Sequence, residues 1–130
     1  FKTSKGKYVA PAPIENRLLL HPNIEQACVS GAGQGQPFGL VVLSLKARNQ
    51  LQSSGAKEQI AAELKEHRAA INKALDPHEQ LETVVVLTEE WTTENGMLTP
   101  TMKLRRSAIE KKYNDRVDGW YGAKKEVLWA

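Results

Sequence analysis

Cysteine is almost missing from this chain. Cys28 is the only one, so no intrachain disulfide can form and a reducing compartment is compatible. Aromatic residues are scarce at 6%, and Trp120, Tyr121 and Trp129 lie near the C-terminal end, away from the basic stretches. Proteins that grip nucleic acid interleave stacking aromatics with clustered cations, so this distribution argues against a nucleic-acid partner. A formal net charge of +3 is also too small to demand a polyanion. No apolar run approaches the length of a membrane span, and the opening stretch does not read as a secretory signal. His21, His67 and His78 show no metal-ligand spacing with one another or with Cys28, so no metal site is expected. An initiator Met is missing too. The chain starts at Phe1 inside a strand-like pattern, as expected of a piece of a longer polypeptide.

What is present suits one modest core: 130 residues, 41% hydrophobic and 25% charged. Phe1–Val9 reads as two short arms around Ser4-Lys5-Gly6, a hairpin in which Gly6 supplies a positive φ. Its loop carries Lys2, Lys5 and Lys7, which suit either an edge-protecting decoration or a functional loop. Pro11–His21 reads as a short helix, with Pro13 and Glu15 in its first turn and Ile14 and Leu18 facing the core. Ile24–Gly31 reads as a strand, with Ala27 and Val29 on one face and Cys28 on the other. Gly31, Gly33 and Gly35 do not form a nucleotide loop: the spacing is wrong, and Pro37-Phe38-Gly39 leads into another strand. Phe38–Lys46 is that strand, antiparallel to its predecessor because the connector is short. A polar loop, Gln50–Gly55, precedes the longest helix, Ala56–Leu75, whose apolar face is Ile60, Leu64, Ile71 and Leu75. Thr83–Leu87 is a third strand. Ser107–Tyr113 and Val117–Gly122 are short helical patterns, and Glu126–Trp129 could add a terminal strand. The expected fold is a single α+β domain over residues 1–130: a three-stranded sheet covered by helices, with the N-terminal β-hairpin standing apart.

One stretch combines special backbone residues, hydroxyls and clustered cations: Asn95–Arg106, NGMLTPTMKLRR. Asn95-Gly96 is a strong turn dipeptide. Pro100 lacks a backbone donor and biases Thr99 toward extended backbone. Lys103, Arg105 and Arg106 then lead into the helical pattern that ends at Tyr113. Lys103 is therefore expected on a loop just ahead of a helix, where it adds a mobile charge suited to phosphate or a developing oxyanion. An isolated lysine is ordinarily a solvated surface side chain; the rest of the chain has to decide. Neither this loop nor the hairpin is expected to be needed for the core.

FKTSKGKYVAPAPIE and NGMLTPTMKLRR together resemble the small C-terminal domain of the acyl-adenylate-forming (AMP-binding) enzymes, most like that of bacterial long-chain acyl-CoA synthetases. Gly6, Tyr8, Val9, Ala10, Pro11, Ile14 and Glu15 match the family's hairpin motif. Gly96, Leu98, Thr99, Pro100, Thr101, Lys103 and Arg106 match its lysine loop. The resemblance covers the whole chain. Lys7 stands where long-chain members often carry an acidic residue, Ala12-Pro13 replaces a more polar pair, and Met102 replaces a common leucine.

The resemblance implies a mobile C-terminal domain of a two-domain, ATP-dependent fatty acid–CoA ligase, whose N-terminal adenylation domain is absent here. The parent would convert a carboxylate and ATP to acyl-AMP and pass the acyl group to CoA. Lys103 would be the catalytic lysine of the first step, supported by Gly96, Thr99, Pro100 and Thr101. Lys5, Gly6, Lys7 and Tyr8 would flank the pantetheine arm of CoA in the second, after the domain rotates. ATP, Mg²⁺ and CoA would bind the parent, with none expected on this piece alone, which is expected to be inactive. The implied partners are the N-terminal domain and a fatty acid or other carboxylate. The implied location is cytoplasmic, or peripheral at the inner membrane. Two alternatives are an adenylate-former that loads a carrier-protein thiol and, in a different class, a free-standing basic module binding RNA or an acidic protein.

Overall fold

Apolar side chains alternate along every strand, and that alternation sorts the core into two halves. The computed structural model describes all residues, Phe1–Ala130. Helix α1 (Pro11–Leu18) leads to β1 (Ile24–Ser30) and β2 (Phe38–Leu43). Helices α2 (Leu45–Gln50) and α3 (Ala56–Ala74) cross to β3 (Val84–Leu87). Helices α4 (Arg106–Tyr113) and α5 (Val117–Gly122) precede β4 (Val127–Trp129). The sheet has the order β1-β2-β3-β4, with β1 and β2 antiparallel and the other pairs parallel. A short connector can only return the chain antiparallel, whereas the α2–α3 segment is long enough for a parallel crossover.

Val41, Leu43, Val84 and Val86 face one way and pack with Ile14, Leu18, Ile60, Leu64 and Ile71 of α1 and α3. Leu40, Val42, Val85 and Leu87 face the other way and pack with Ile109, Tyr113 and Trp120 of α4 and α5. Both faces of the sheet are thus covered, and β2 and β3 read as continuous apolar runs for that reason. β1 divides as its sequence indicates, with Ala27 and Val29 on the α1–α3 face and Cys28 on the other.

The architecture is α+β as expected, with differences in detail. The sheet has four strands rather than three, because β4 pairs with β3. This is the terminal strand that Glu126–Trp129 could add, and its three residues Val127, Leu128 and Trp129 are half-buried. The strand read as Phe38–Lys46 stops at Leu43, where the Ser44 hydroxyl accepts from Ala47 N at 3.2 Å and caps α2. Leu45 and Lys46, expected in the strand, and Gln50, expected to open the polar loop, are therefore helical. The first helix ends at Leu18, three residues before His21.

The hairpin is separate from the sheet, as expected, with its Lys2–Tyr8 bridge outside the four strands, but it is anchored to the domain. Val9 is buried in the α1–α3 core, and backbone bonds join Ser4 N to Gln34 O at 2.8 Å and Gly33 N to Lys2 O at 3.0 Å. The lysine loop also contributes to the core through buried Leu98, beside Trp91, which precedes the loop.

Candidate functional site

The lysine loop is a tight hairpin rather than an open extended segment. Leu98 and Leu104 form an antiparallel bridge. At its base, the Asn95 carboxamide accepts from Thr92 N at 2.9 Å and Met97 N at 3.2 Å. Gly96 takes φ +80° there, as the Asn-Gly pair indicates. Arg105 ties back twice, donating from its N to Met97 O at 2.8 Å and from Nη1 to Gly96 O at 3.1 Å.

Thr99 holds the backbone of Lys103 from both sides. Its N–H donates to Lys103 O at 2.8 Å, and its hydroxyl accepts from Lys103 N at 3.1 Å. Thr101 Oγ1 lies 3.1 Å from Thr99 Oγ1. Pro100, which has no donor to satisfy, sits at the exposed tip. The Lys103 side chain is exposed, and its ammonium makes no hydrogen bond or ion pair within the chain. A rigid backbone therefore carries an uncommitted cation. Met102 beside it takes φ +66° while exposed, an unusual conformation for a side-chain-bearing residue that the sequence does not signal.

The N-terminal hairpin is built in the same economical way. Gly6 N donates to Thr3 O at 3.0 Å, and Thr3 N donates to Lys7 O at 2.9 Å. Gly6 has φ +78°, completing a turn with a glycine bulge. Lys5 Nζ reaches Gln36 Oε1 at 3.4 Å. Lys7 and Tyr8 are exposed, and Lys2 Nζ sits 5.5 Å from the centre of the Tyr8 ring. The glycine connector below it is a platform for the hairpin, as its bonds to Lys2 and Ser4 show.

The two loops rise from opposite faces of one sheet. Val9 anchors the hairpin on the α1–α3 face and Leu98 anchors the lysine loop on the α4–α5 face. A pair of residues joins them around the open edge of β1. Glu15, only 6% exposed, accepts from Arg106 Nη2 at Oε1 (2.8 Å) and from Arg106 Nη1 at Oε2. The same Oε2 accepts from Val29 N at 2.7 Å, and Arg106 Nη1 reaches Val29 O at 3.4 Å. The outward-facing backbone of Val29 is thereby satisfied by an ion pair instead of another strand.

A second clamp lies at the other end of the loop. Gln26 Nε2 donates to Trp91 O and Gln26 Oε1 accepts from Trp91 N, both at 2.8 Å. A bulge between Ile24 and Gln26 makes this possible. It lets Ile24 and Ala27 share one face and leaves Gln26 for the Trp91 side.

Glu15 reads in the sequence as a helix-dipole residue and Arg106 as one of a basic cluster; their partnership was not expected. A signal exists, because Glu15 follows Ile14 and precedes Leu18 by one turn, on the buried stripe of α1, where a carboxylate requires a cation. Gln26 carries no comparable signal.

Cys28 is fully buried, and burial first, then the Glu15 charge, push its thiol up to about 12. It is a packing residue. Ser30 Oγ donates to the Glu110 carboxylate beside a cavity of about 240 Å³ lined by Phe38, Leu40 and Tyr113. Asp76, His78 and Glu79 place one donor atom each within 4.8 Å of one another, in the turn whose Pro77 O accepts from Gln36.

A family model described as the AMP-binding enzyme C-terminal domain matches residues 2–125. The chain is similar to the long-chain-fatty-acid–CoA ligase FadD15 of Mycobacterium tuberculosis, with 30% identity over 133 residues, 92% of this chain and 22% of that protein. It is 25% identical over 122 residues to a chloroplastic long-chain-fatty-acid–[acyl-carrier-protein] ligase, AEE15 of Arabidopsis thaliana, covering 91% of this chain and 16% of that protein. The chain thus spans about a fifth of the length of the curated relatives it matches. In fold it is similar to the adenylation domain of a carboxylate reductase from Mycobacterium chelonae, with a TM-score of 0.80 and 22% identity over 94% of this chain and 19% of that one.

Proposed function

The chain belongs to the AMP-binding enzyme C-terminal domain family, and on that premise we propose that it is the mobile small domain of a fatty acid–CoA ligase. Its relatives include long-chain-fatty-acid–CoA ligases by name. No helix is long and apolar enough to cross a membrane. The observation that carries the reading is the placement of two cation-bearing loops on opposite faces of one rigid sheet. A domain that turns between two steps needs two presenting faces.

In the first step a carboxylate oxygen attacks the α-phosphorus of ATP, the bond to pyrophosphate breaks, and acyl-AMP forms. Two anions must approach each other. Lys103 stands between carboxylate and α-phosphate oxygens and offsets their repulsion as the bond forms. Thr99 fixes its backbone, so only the side chain needs to reorient. In the second step the sulfur of the thiol attacks the acyl carbonyl and AMP leaves. The domain has then turned, and Gly6 at the hairpin lets the pantetheine arm pass close to backbone between Lys5, Lys7 and Tyr8. ATP, CoA and the carboxylate bind chiefly on the N-terminal domain. Mg²⁺ does not fit the lysine loop, because the Leu98–Leu104 hairpin has no carboxylate. No step is assigned to it on this chain.

The experiment is Gly6→Trp in the full-length parent, with Gly6→Ala as its control. Both substitutions meet the same backbone strain at φ +78°, and a Cβ at this position has only Lys2 Cε nearby, at 3.8 Å. Gly6→Trp is expected to block thioester formation while sparing pyrophosphate release, and Gly6→Ala to spare both. Equal loss of both half-reactions in a variant with native circular dichroism would contradict the assignment. The isolated chain is expected to make no acyl-CoA. A second reading, in which the acceptor is a carrier-protein thiol, is favoured by Lys2, Lys5 and Lys7 on the hairpin, which suit an acidic protein. Running the second half-reaction with CoA and with acyl-carrier protein separates the two.

A further inference from the structure

We propose that Gln26 and the Glu15–Arg106 pair are positioning residues for Lys103, holding both ends of the Trp91–Arg106 loop against β1. The proposal rests on the reading of Lys103 given above. The loop begins at Trp91, whose N–H and C=O both bond to the Gln26 carboxamide at 2.8 Å. That side chain acts as one rung of a ladder, fixing Trp91 along β1 as well as against it. The loop ends at Arg106, whose fork grips Glu15 while Glu15 grips Val29 N at 2.7 Å. Gln26 and Val29 are three residues apart on the same strand, so one short piece of β1 locates both ends.

Between the clamps nothing is slack. Thr92 O accepts from Met97 N and Leu98 N, at 3.2 and 3.1 Å. Leu98 pairs with Leu104, Arg105 N bonds Met97 O, and Thr99 holds Lys103. Movement at either end is therefore carried to Lys103 rather than absorbed. Burial alone does not supply this control. Packing of the Trp91 ring is not directional, and the pair of bonds to Gln26 adds the alignment along the strand that packing alone does not specify. Misplacement of a reacting group by about 1 Å can cost on the order of 10²-fold in rate.

The test uses the full-length parent and four variants: Gln26→Ala, Arg106→Lys, Lys103→Ala and Ile71→Val. Ile71 is buried on the opposite face of the sheet, so its variant reports general loosening of the domain. Each is measured for kcat and KM in pyrophosphate release, for thioester formation from supplied acyl-AMP, and for melting temperature. Gln26→Ala and Arg106→Lys are expected to lower kcat of the first step roughly 10–100-fold, with KM for ATP and the second step unchanged. Ile71→Val is expected to change neither step, even where its melting temperature falls as far. Arg106→Lys keeps the charge but loses the two-pronged geometry. Should that variant fail to fold, Gln26→Ala still decides, since it removes no buried charge. Wild-type kcat in Gln26→Ala alongside a slow Lys103→Ala overturns the positioning role and leaves the lysine reading standing. An unimpaired Lys103→Ala overturns both. Equal loss in the two half-reactions reduces Gln26 to a structural residue and also overturns the proposal.

Discussion

Glu15 and Arg106 are 91 positions apart and meet as a two-pronged ion pair over the open edge of β1. The carboxylate belongs to the helix that follows the hairpin, and the guanidinium to the helix that follows the lysine loop. The pair is unequal. The Glu15 side chain is 7% exposed, whereas that of Arg106 is 36% exposed.

That inequality predicts an asymmetric response. Arg106→Ala strands a buried carboxylate and should destabilise the chain by about 3 kcal/mol, the low end for breaking a buried pair. Glu15→Gln leaves a guanidinium that water can reach, and should cost only about 1–2 kcal/mol. Urea unfolding of the two variants checks this. Equal losses would mean that the pair is effectively solvated. Arg106 is for this reason no neutral control for Lys103, nor is Arg105, whose guanidinium ties the same loop through Gly96 O; Lys111, exposed on α4, is the appropriate one.

Gly31 and Gly33 separate two costs of replacing a glycine. A Cβ on Gly31, at φ +138°, would stand 2.8 Å from Pro37 Cα, which is backbone and cannot step aside. A Cβ on Gly33, at φ +77°, meets nothing within 4 Å. Gly33→Ala should cost about 1 kcal/mol from conformation alone, and Gly31→Ala should cost several-fold more, roughly 3 kcal/mol or above. Thermal unfolding of the pair distinguishes them; similar losses would show that the connector can open at no cost.

Cys28 gives a pH dependence of known sign. Its folded value, about 12, lies above the ordinary thiol value of about 8.5, because burial and then Glu15 disfavour the thiolate. A raised value means that the contribution is complete below about pH 8.5 and is lost as pH climbs toward about 12. Native protein at pH 8.5 should resist iodoacetamide, while the urea-unfolded chain reacts. Stability should fall with pH above about 9 less steeply in Cys28→Ala than in the parent sequence. Rapid alkylation of the native thiol, or identical slopes, would refute the burial account.

Much of this was legible in the sequence. Alternation in Ala27–Val29, the apolar run opening Phe38–Lys46, the face of Ile60, Leu64 and Ile71, and the short antiparallel connector all read directly, because each is a local pattern. So did the glycine conformations at Gly6 and Gly96. Features set by distant partners were hidden. Gln26 looks like any polar strand residue until Trp91 arrives from 65 positions away. Arg106 looks like its neighbour Arg105 until Glu15 selects it. Glu126–Trp129 read as a possible terminal strand, and its place in the sheet is decided by β3 beside it. The expectation that neither hairpin nor lysine loop is needed for the core failed for the same reason: Val9 and Leu98 are anchors whose burial is decided by the sheet they meet.

The most direct test of the account is the pyrophosphate burst of the full-length parent carrying Lys103→Ala. Loss of one charge stabiliser at the reacting atoms should slow adenylation on the order of 10²–10³-fold, or about 3–4 kcal/mol. Thioester formation from supplied acyl-AMP should be little changed, stability should be unaltered, and Lys103→Arg should rescue poorly because a planar fork does not replace a compact ammonium. Lys111→Ala, assayed beside it, should retain its burst. A near-normal burst from Lys103→Ala, or an equal loss in Lys111→Ala, would contradict the account and return Lys103 to the ordinary surface lysines.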